Sequence, residues 1–385
     1  MSRSLRGRAA IVGIGATEFS ANSGRSERRL AVEAVLAALQ DAGLGPDDID
    51  GIVNSDFDET NQIDIINALG LRNISSYATI PHGGGSPCGT VAHAAMMVAS
   101  GVCSCVVAYR SLNERSGHRY GSAEAVADFP WVHGLHAPYG LVVPAEWTAM
   151  HARRRMIEFG ETREQWANVP VTFRAHANRN PRAMLRQKTL TRQDYLDAPI
   201  LAEPLCRYDY CLETDGAVAY LVTSSERAAV LASTPARIHT VVQATGCPVW
   251  YQTNWYRSSL TTGDEVVAAA KKLWRESGLA PRDIDVAQIY DHFAPLVLTS
   301  LEDYGFCRKG EGGHFVDDGR IAHGGELPLN TAGGLLSEGY IHGWNLILEG
   351  VRQIRGTSTA QVKDVEFSLV TSCWGAPTSA LILSR

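Results

Sequence analysis

The chain has 385 residues, with 45% hydrophobic residues, 20% charged residues and a formal net charge of −6. These values are typical of a globular protein with one large α/β unit or two to three domains. They argue against nucleic acid or an acidic membrane surface as the main partner, and no run of about 18 apolar residues predicts a membrane span. The basic start leads directly into the apolar segment 9–13, which we interpret as the first buried strand of a cytoplasmic protein.

A repeated phrase organises the chain. Residues 28–41 have helical periodicity, Gly43 suits the C-terminal cap of that helix, and the sequence Gly-Leu-Gly-Pro-Asp-Asp-Ile-Asp follows at 43–50. The phrase returns 235 residues later as Gly-Leu-Ala-Pro-Arg-Asp-Ile-Asp at 278–285, again between a predicted helix (264–277) and an apolar segment. Six of eight matching positions indicate a duplicated α/β unit.

The segment between the two copies differs in character. Residues 137–203 are rich in arginine and predict two helices, 144–159 and 162–179, which we interpret as an insertion over a pocket. Its Arg153-Arg154-Arg155 run can meet substrate phosphates, although we favour a solvated helix face. The strand predicted at 214–222 ends the first half. The predicted first half is therefore 1–136 with 204–230, and the second is 231–385.

The chain has eight cysteines and no C-x-x-C pair. We expect the cysteines to be small, buried hydrophobic residues rather than disulfide partners or metal ligands. They are Cys88, Cys103, Cys105, Cys206, Cys211, Cys247, Cys307 and Cys373.

Four blocks near the C-terminus carry the candidate chemistry. They are Tyr-Asp-His-Phe-Ala at 290–294, Asn-Thr-Ala-Gly-Gly at 330–334, Ser-Glu-Gly-Tyr-Ile-His-Gly at 337–343 and Ser-Cys-Trp-Gly at 372–375. Each is predicted as a turn between a strand and a helix, where α/β folds present functional side chains.

These blocks, the repeat and the Asp-Gly-Ala segment at 215–217 make the chain resemble the thiolase superfamily over nearly its whole length, in the sterol-carrier-protein or lipid-transfer-protein branch. The resemblance implies an α/β fold, two duplicated halves stacked as α-β-α-β-α layers with a helical insertion. In that family a catalytic cysteine begins a helix of the first half. Asn-Glu-Ala-Phe, Gly-His-Pro and Cys-x-Gly blocks come from the second half.

The chain departs from this pattern at the catalytic positions. The nucleophilic cysteine falls on Gly84, while Cys88 lies one helical turn inside, with its thiol expected to point away. Tyr290 stands at the family's asparagine and Tyr340 at its histidine, and only Cys373, with Gly375, is retained. A Claisen enzyme needs a thiolate to carry the acyl group, so thiolase activity is not expected.

The two tyrosines resemble a subgroup of thiolase-fold retro-aldolases that act on bacterial steroid intermediates. The resemblance implies a 17-hydroxy steroid-20-carboxyl-CoA substrate, and a 17-keto steroid and propionyl-CoA as products. It also implies a homodimer that binds two copies of a small zinc-ribbon/OB-fold partner as a heterotetramer. No cofactor is expected in this chain, since CoA is part of the substrate and zinc belongs to the partner.

Retro-aldol cleavage needs a base for the β-hydroxyl group and stabilisation of the enolate, but no covalent intermediate. A phenol acts as an acid, or as a base when its pKa of about 10 is lowered. We assign Tyr340 as the base and Tyr290 as the acid on the enolate side, an assignment that can be reversed. His342 or Asp291 can tune the phenols, and an N–H near Gly375 can bind the thioester oxygen.

Two further positions are left open by the sequence. His292 follows Tyr290 closely, but strand alternation can direct its side chain elsewhere. The triple glycine at 83–85 can cradle a phosphate, or Gly84 can leave room for substrate.

Other mechanisms fit the residues less well. A Schiff-base aldolase needs a buried lysine, whereas all five lysines fall in predicted exposed helices or loops. A metal-dependent aldolase has candidate ligands without a recognisable spacing: His292, His314, His323 and Glu326. The turn at 84–88 lacks the final glycine of a hydrolase elbow. The alternatives kept are a non-catalytic acyl-CoA or lipid-binding subunit, and residual thiolase or acyltransferase chemistry through Cys88 or Cys373.

Overall fold

The computed structural model describes residues 5–122, 136–231, 234–246, 253 and 255–385; the first four residues and Cys247 lie outside these ranges. The strands are β1 Ala9–Ala16, β2 Gly51–Ser55, β3 Ser76–Ile80, β4 Cys105–Asn113, β5 Ile200–Ala202, β6 Leu205–Cys206, β7 Asp215–Ser224, β8 Ala236–Ala244, β9 Val286–Gln288, β10 Phe367–Thr371 and β11 Thr378–Ser384. The α-helices are α1 Glu27–Ala42, α2 Gln62–Leu69, α3 Pro87–Ala99, α4 Pro144–Phe159, α5 Arg163–Trp166, α6 Asn168–Arg179, α7 Arg192–Leu196, α8 Ser225–Ala228, α9 Asp264–Ser277, α10 Ala294–Asp303, α11 Gly312–Phe315, α12 Gly334–Ser337 and α13 Trp344–Arg355. No helix within these ranges is long and apolar enough to cross a membrane.

Nine strands follow one another in the order β3-β2-β4-β7-β1-β8-β11-β10-β9. The first five form one half and the last four form the other, and β1 pairs with β8 through Ala10 and Arg237 at the junction. In each half the outer strands are parallel and the inner strands antiparallel. This mirrored order confirms the duplicated α/β fold.

Three hydrophobic clusters explain the layering. One cluster packs α1 and α2 on the outer face of the first half, a second surrounds α3 and α13 between the halves, and a third packs α9 and α10 against the second half. Along β4, Cys105, Val107 and Tyr109 enter the outer cluster, whereas Val106 and Ala108 enter the central one. This alternation is the period of two expected for a strand covered on both faces. The layers are α-β-α-β-α, as the family resemblance implies.

The repeated phrase forms the same local structure twice. Gly43 and Gly278 end α1 and α9 with φ values of 68° and 71°, a left-handed conformation that suits glycine. A short 3₁₀ turn follows each glycine, at Pro46–Asp48 and Pro281–Asp283. Both turns then lead directly into a strand, β2 or β9, so the repeat is structural as well as sequential.

The insertion contains the first predicted helix as α4, but the second helix is divided. Helix α5 ends at Trp166 and α6 begins at Asn168. The physical reason is Pro170, which has no N–H to donate to the Trp166 carbonyl and whose ring disfavours a continuous helix there. Trp166 and Phe173 are fully buried in the cluster that contains α10. The backbone N–H of Met184 donates to Glu338 O, so the insertion packs close to the C-terminal blocks.

Candidate active site

The C-terminal blocks meet at one edge of the second half. Block 290–294 joins β9 to α10, block 330–334 precedes α12, and block 337–343 precedes α13. The expected turn between a strand and a helix is confirmed for block 290–294 but is wrong for the other three. Block 330–334 follows a single bridge residue, Leu329, block 337–343 connects the helices α12 and α13, and block 372–375 joins the antiparallel strands β10 and β11. Since β9 and β10 are parallel neighbours, their carboxyl ends share an edge, which brings blocks 290–294 and 372–375 together.

Two threonines hold the backbones of the two tyrosines. The N–H of Tyr290 donates to Thr371 Oγ1 at 3.0 Å, and the N–H of Tyr340 donates to Thr214 Oγ1 at 2.9 Å. The two phenol oxygens are 3.1 Å apart, within hydrogen-bond distance. Their rings meet edge to face, with centroids 6.4 Å apart. One proton can therefore pass directly between the two hydroxyl groups.

Burial controls the acidity of both phenols. It raises the pKa of Tyr290 and of Tyr340 well above 10, and the neighbouring phenol adds to the increase at Tyr340. This direction is opposite to the lowered pKa that a phenolate base needs. Both groups are consequently neutral phenols near neutral pH, able to donate one proton while accepting another.

Two glycines make room for the Tyr290 side chain. A Cβ at Gly84 would lie 2.9 Å from Tyr290 Cζ and closer still to its oxygen, and 3.0 Å from Cys373 Cβ. A Cβ at Gly343, where φ is +80°, would lie 2.6 Å from two ring carbons of Tyr290. The space beside Gly84 is thus filled by the phenol and not left for substrate. At the position of the family's nucleophile, the Tyr290 phenol therefore occupies the space that a side chain would take.

The triple glycine is not a phosphate cradle in this conformation. The N–H of Gly83 faces the Asp56 carboxylate at 3.4 Å, and the N–H of Gly85 donates to His82 O at 2.8 Å. A third backbone group, Gly84 O, accepts the N–H of Cys373 at 2.8 Å and ties the two halves together at the site.

His292 faces the site rather than away from it. Its Nε2 lies 3.5 Å from Cys373 Sγ, and its ring meets that of Tyr290 with centroids 5.0 Å apart. Burial lowers the pKa of His292 to about 3 and raises the pKa of Cys373 above the usual thiol range. A neutral imidazole therefore stands beside a protonated thiol, and this pair is unlike the activated thiolate–imidazolium pair of cysteine enzymes.

His342 belongs to a buried charged network. Arg110 Nη2 is 2.8 Å from His342 Nδ1, and Arg110 Nη1 is 3.2 Å from Asp58 Oδ1. Because arginine can only donate, Nδ1 accepts and the imidazole carries its proton on Nε2. Burial and the Arg110 charge lower the pKa of His342 well below 6.5, which keeps the ring neutral. Its ring centroid lies 5.0 Å from that of Tyr340, so the network supports the wall of the site.

Two of the auxiliary residues proposed from the sequence have other partners. The Asp291 carboxylate accepts the N–H groups of Leu335 and Leu336 at 2.9 and 3.1 Å, and so caps the start of α12. Burial raises the pKa of Asp291 to about 7. The N–H of Gly375 donates to Glu265 Oε1 at 2.7 Å, and is therefore not directed at a thioester oxygen.

Cys88 is a buried structural thiol. Its Sγ lies 3.5 Å from Val370 O, and burial raises its pKa to about 12. The other cysteines of the described residues are also free thiols, either buried or partly buried.

The three consecutive arginines of α4 are all paired with carboxylates. Arg153 pairs with Glu203 and Arg154 with Glu158 on the exposed surface, as expected for a solvated helix face. Arg155 differs, because it is 1% exposed and bridges two buried glutamates, Glu161 and Glu302. Arg155 is therefore not accessible to a substrate phosphate.

The candidate metal ligands do not converge. His314 lies beside Asp317, the ring of His323 contacts Gln361 O, and Glu326 pairs with Arg320, while His292 lies at the tyrosine site. Across the ranges that the structure describes, no group of three or more potential ligands is close enough to hold a metal ion.

Sequence reasoning missed four residues that shape the site: Asp58, Arg110, Thr214 and Thr371. Arg110 had a usable signal, because it follows the apolar run 105–109 within strand β4, and a buried charge must be paired. The threonines carry no such signal, since their role depends only on which backbone N–H lies opposite them.

Comparisons with known proteins show which family the chain resembles over its full length. Residues 247–385 match the family model described as "Thiolase C-terminal domain-like". The chain is 47% identical to the steroid side-chain-cleaving aldolase of Thermomonospora curvata, over 98% of both sequences. It is 48% identical to the 17-hydroxy-3-oxo-4-pregnene-20-carboxyl-CoA lyase of Mycobacterium tuberculosis, over 98% of this chain and 100% of the relative. A solved structure described as "Ltp2-ChsH2(DUF35) aldolase" has a TM-score of 0.94 and 47% identity, and the match covers 99% of this chain and 98% of that one.

Proposed function

The chain belongs to the thiolase-like family that contains the steroid side-chain-cleaving aldolases, and we propose that it is a carbon–carbon lyase acting on a β-hydroxyacyl-CoA thioester. The substrate class is a 17-hydroxy steroid-20-carboxyl-CoA, and the products are a 17-keto steroid and propionyl-CoA. The identity of nearly half of all residues, over almost the full length of two relatives with such names, supports this substrate class.

One observation carries the proposal, namely the 3.1 Å contact between the Tyr290 and Tyr340 hydroxyl groups beside Gly84. A Claisen reaction needs a thiolate that attacks the thioester. The position of that nucleophile is a glycine whose neighbouring space holds a phenol, and the pKa values of the nearby thiols Cys88 and Cys373 are raised. Proton transfer between phenols suits retro-aldol cleavage, which forms no acyl-enzyme.

The two phenols account for every proton in the reaction. Tyr340 takes the proton of the β-hydroxyl group and passes its own proton to Tyr290, which protonates the enolate carbon. The electron pair of the O–H bond becomes part of the ketone C=O bond, and the pair of the broken C–C bond becomes part of the enolate. No free phenolate is needed at any stage, which is consistent with the raised pKa of both groups.

The direction of this transfer follows from the position of each tyrosine. Tyr290 is 1% exposed and lies at Gly84 and Cys373, the position of the acyl-carrying group in thiolases. Tyr340 is more exposed and lies beside His342. We therefore assign Tyr290 to the enolate of the thioester and Tyr340 to the alcohol.

The proposed assembly is a homodimer that binds two copies of a zinc-ribbon/OB-fold partner. The similar solved structure is described as an Ltp2-ChsH2(DUF35) aldolase, a description that names a DUF35 component together with the aldolase. Strand β3 ends the sheet of the first half, and Tyr77 on this edge is 71% exposed, which makes β3 a suitable surface for pairing with a second copy. We propose no cofactor for this chain, and zinc only in the partner.

The test is cleavage of the steroid-CoA thioester, followed by liquid chromatography, with the chain co-purified with its partner. Wild type is expected to release ketone and propionyl-CoA. Tyr290→Phe and Tyr340→Phe are each expected to lower kcat by about 10²–10⁴-fold. Tyr304→Phe is the matched control, because the Tyr304 hydroxyl is buried without a hydrogen-bond partner among the described residues.

The outcomes separate the candidate functions. Full activity in both site variants would place the chemistry elsewhere. Tight acyl-CoA binding by wild type without any cleavage would instead favour the non-catalytic acyl-CoA-binding subunit. Native mass spectrometry of the same sample measures whether the complex contains two copies of each chain.

A further inference from the structure

Arg174, on helix α6 of the insertion, is a buried arginine without a carboxylate partner. Five arginines of the described residues are buried, and the other four each pair with a buried carboxylate. These pairs are Arg110 with Asp58, Arg155 with Glu161 and Glu302, Arg257 with Glu265, and Arg352 with Glu349. Arg174 is 6% exposed and forms no ion pair with any described residue. A buried charge without a partner is costly, so this guanidinium needs an anion from outside the chain.

The Arg174 guanidinium is anchored through one nitrogen. Its Nε donates to Ser337 Oγ at 3.0 Å, and neither terminal nitrogen has a hydrogen-bond acceptor among the described residues. No nitrogen of Arg174 is enclosed without a partner, in contrast to Nη1 of Arg110, so the terminal nitrogens face space that solvent reaches. A phosphate from solvent can therefore accept hydrogen bonds from both, the paired geometry that suits arginine.

A second arginine near this guanidinium also lacks a carboxylate partner. Arg207 is exposed, its guanidinium lies over the Tyr208 ring at 5.2 Å, and it forms no ion pair within the described ranges. Burial lowers the pKa of Arg174, Tyr208 opposes this effect, and the charge of Arg207 adds to it. Two like charges without an acid between them create a positive potential that attracts an anion.

Hydrogen bonds place both arginines beside the tyrosine site. The first bonds to Ser337, which begins block 337–343. The second is followed four residues later by Cys211, whose N–H donates to O of His292, in block 290–294, at 3.0 Å. The two arginines thus adjoin the blocks that carry the two phenols, a few residues away from the phenols themselves. A CoA thioester has a matching layout, because its pantetheine arm separates the reacting carbonyl group from the phosphates.

We propose that Arg174, together with Arg207, binds a phosphate group of the acyl-CoA substrate. This inference rests on the proposed function, which makes the substrate a CoA thioester. The groups that the sequence suggested for this task have other partners, since the triple glycine is bonded to protein groups and Arg155 is buried in ion pairs. The phosphate holds the part of the substrate that does not react, so Arg174 contributes to binding and takes no part in proton transfer.

The test compares two thioesters of the same steroid acid, one with CoA and one with pantetheine, which has no phosphate. With the CoA thioester, Arg174→Met is expected to raise KM by about 10–100-fold, the size expected for hydrogen bonds between charged groups, and to leave kcat within about twofold. With the pantetheine thioester, wild type and Arg174→Met are expected to have the same KM. Arg174→Lys keeps the charge without the paired donors and is expected to recover part of the loss. Calorimetric titration with CoA measures the same difference as a Kd, without cleavage.

Arg179→Met is the matched control, because Arg179 is an exposed arginine of the same helix, about 140° around the helix axis from Arg174. It is expected to change KM for either thioester by less than about twofold. Thermal unfolding checks that each variant folds.

An equal loss with both thioesters, or an equal Kd for CoA in wild type and Arg174→Met, would overturn the inference and leave the proposed function standing. If Arg174→Met does not fold, a wild-type KM of Arg174→Lys for the CoA thioester would overturn it. A wild type that cleaves neither thioester would contradict the proposed function, while the titration with CoA still tests the phosphate site.

Discussion

Replacement of Gly84 by alanine tests whether the phenol of Tyr290 needs the space beside this glycine. The added methyl group would lie 2.9 Å from Tyr290 Cζ and 3.0 Å from Cys373 Cβ. Carbon atoms pack best at about 3.5–4.0 Å, so the phenol must retreat by about 0.5–1 Å. Gly84 does not have a positive φ, and the effect of alanine therefore comes from the contact and not from backbone strain.

The retreat affects activity more than stability. An added methyl group in a packed region destabilises a protein by about 1–3 kcal/mol. A displacement of about 1 Å at reacting groups lowers the rate by about 10²-fold, and here it would lengthen the 3.1 Å contact between the two phenols. We expect Gly84→Ala to lose about 10²-fold in kcat while it remains folded.

The assay combines steroid-CoA cleavage with urea unfolding of four proteins: wild type, Gly84→Ala, Tyr290→Phe and the double variant. The closest atom to the new methyl group is the Tyr290 oxygen, which Tyr290→Phe removes. The double variant is therefore expected to recover part of the stability that Gly84→Ala loses, and the double-mutant cycle measures this coupling. Gly45→Ala is the matched control, since a Cβ there has no neighbour closer than 4.0 Å. It is expected to change stability by less than about 0.5 kcal/mol.

Additive effects of the two substitutions would refute this reasoning. So would a Gly84→Ala variant with wild-type kcat, because the phenol would then not depend on the space beside residue 84.

Two further predictions follow from burial. No acyl-cysteine adduct is expected by intact-mass measurement after exposure to acyl-CoA, because the pKa of Cys88 is raised to about 12 and a thiolate is scarce near neutral pH; an adduct would revive the acyltransferase alternative. Arg155→Met is expected to lower the free energy of unfolding by about 3–5 kcal/mol, since it removes the arginine that pairs with the buried carboxylate of Glu161 and leaves the buried Glu302 with Lys309 as its ion-pair partner. Arg154→Met, which removes only an exposed pair, is expected to cost less than about 1 kcal/mol, and equal losses in the two variants would contradict this difference.

Local features of the sequence were enough to predict most of the fold. The helices end at Gly43 and Gly278 because glycine adopts the left-handed conformation easily. The proline turn after each glycine leads into a strand, and both features depend on residues that are close in sequence. The duplication was readable because both copies use the same local signals. The division at Ala167 was missed although Pro170 stands in the interior of the predicted helix 162–179, where a proline removes a backbone hydrogen bond.

The sequence predicted which residues belong to the candidate site, but not what their side chains contact. Motif positions identified Tyr290 and Tyr340 and the absence of a nucleophile at Gly84, since motif matching needs no geometry. Motif matching does not show in which direction a side chain points. Asp291 was expected to tune the phenols but caps α12, and the N–H of Gly375 is occupied by Glu265, a residue 110 positions away in sequence.

The sequence by itself determined the repeat and the positions of the two tyrosines, because these depend on local propensity and on motifs, and the layered fold followed from the family resemblance that those motifs carry. Only the tertiary structure decided that the two phenols touch and that burial raises their pKa rather than lowering it. The physical reason is that distance and desolvation arise from packing between segments far apart in the chain. Both change the acidity of a side chain without any change in the residues next to it.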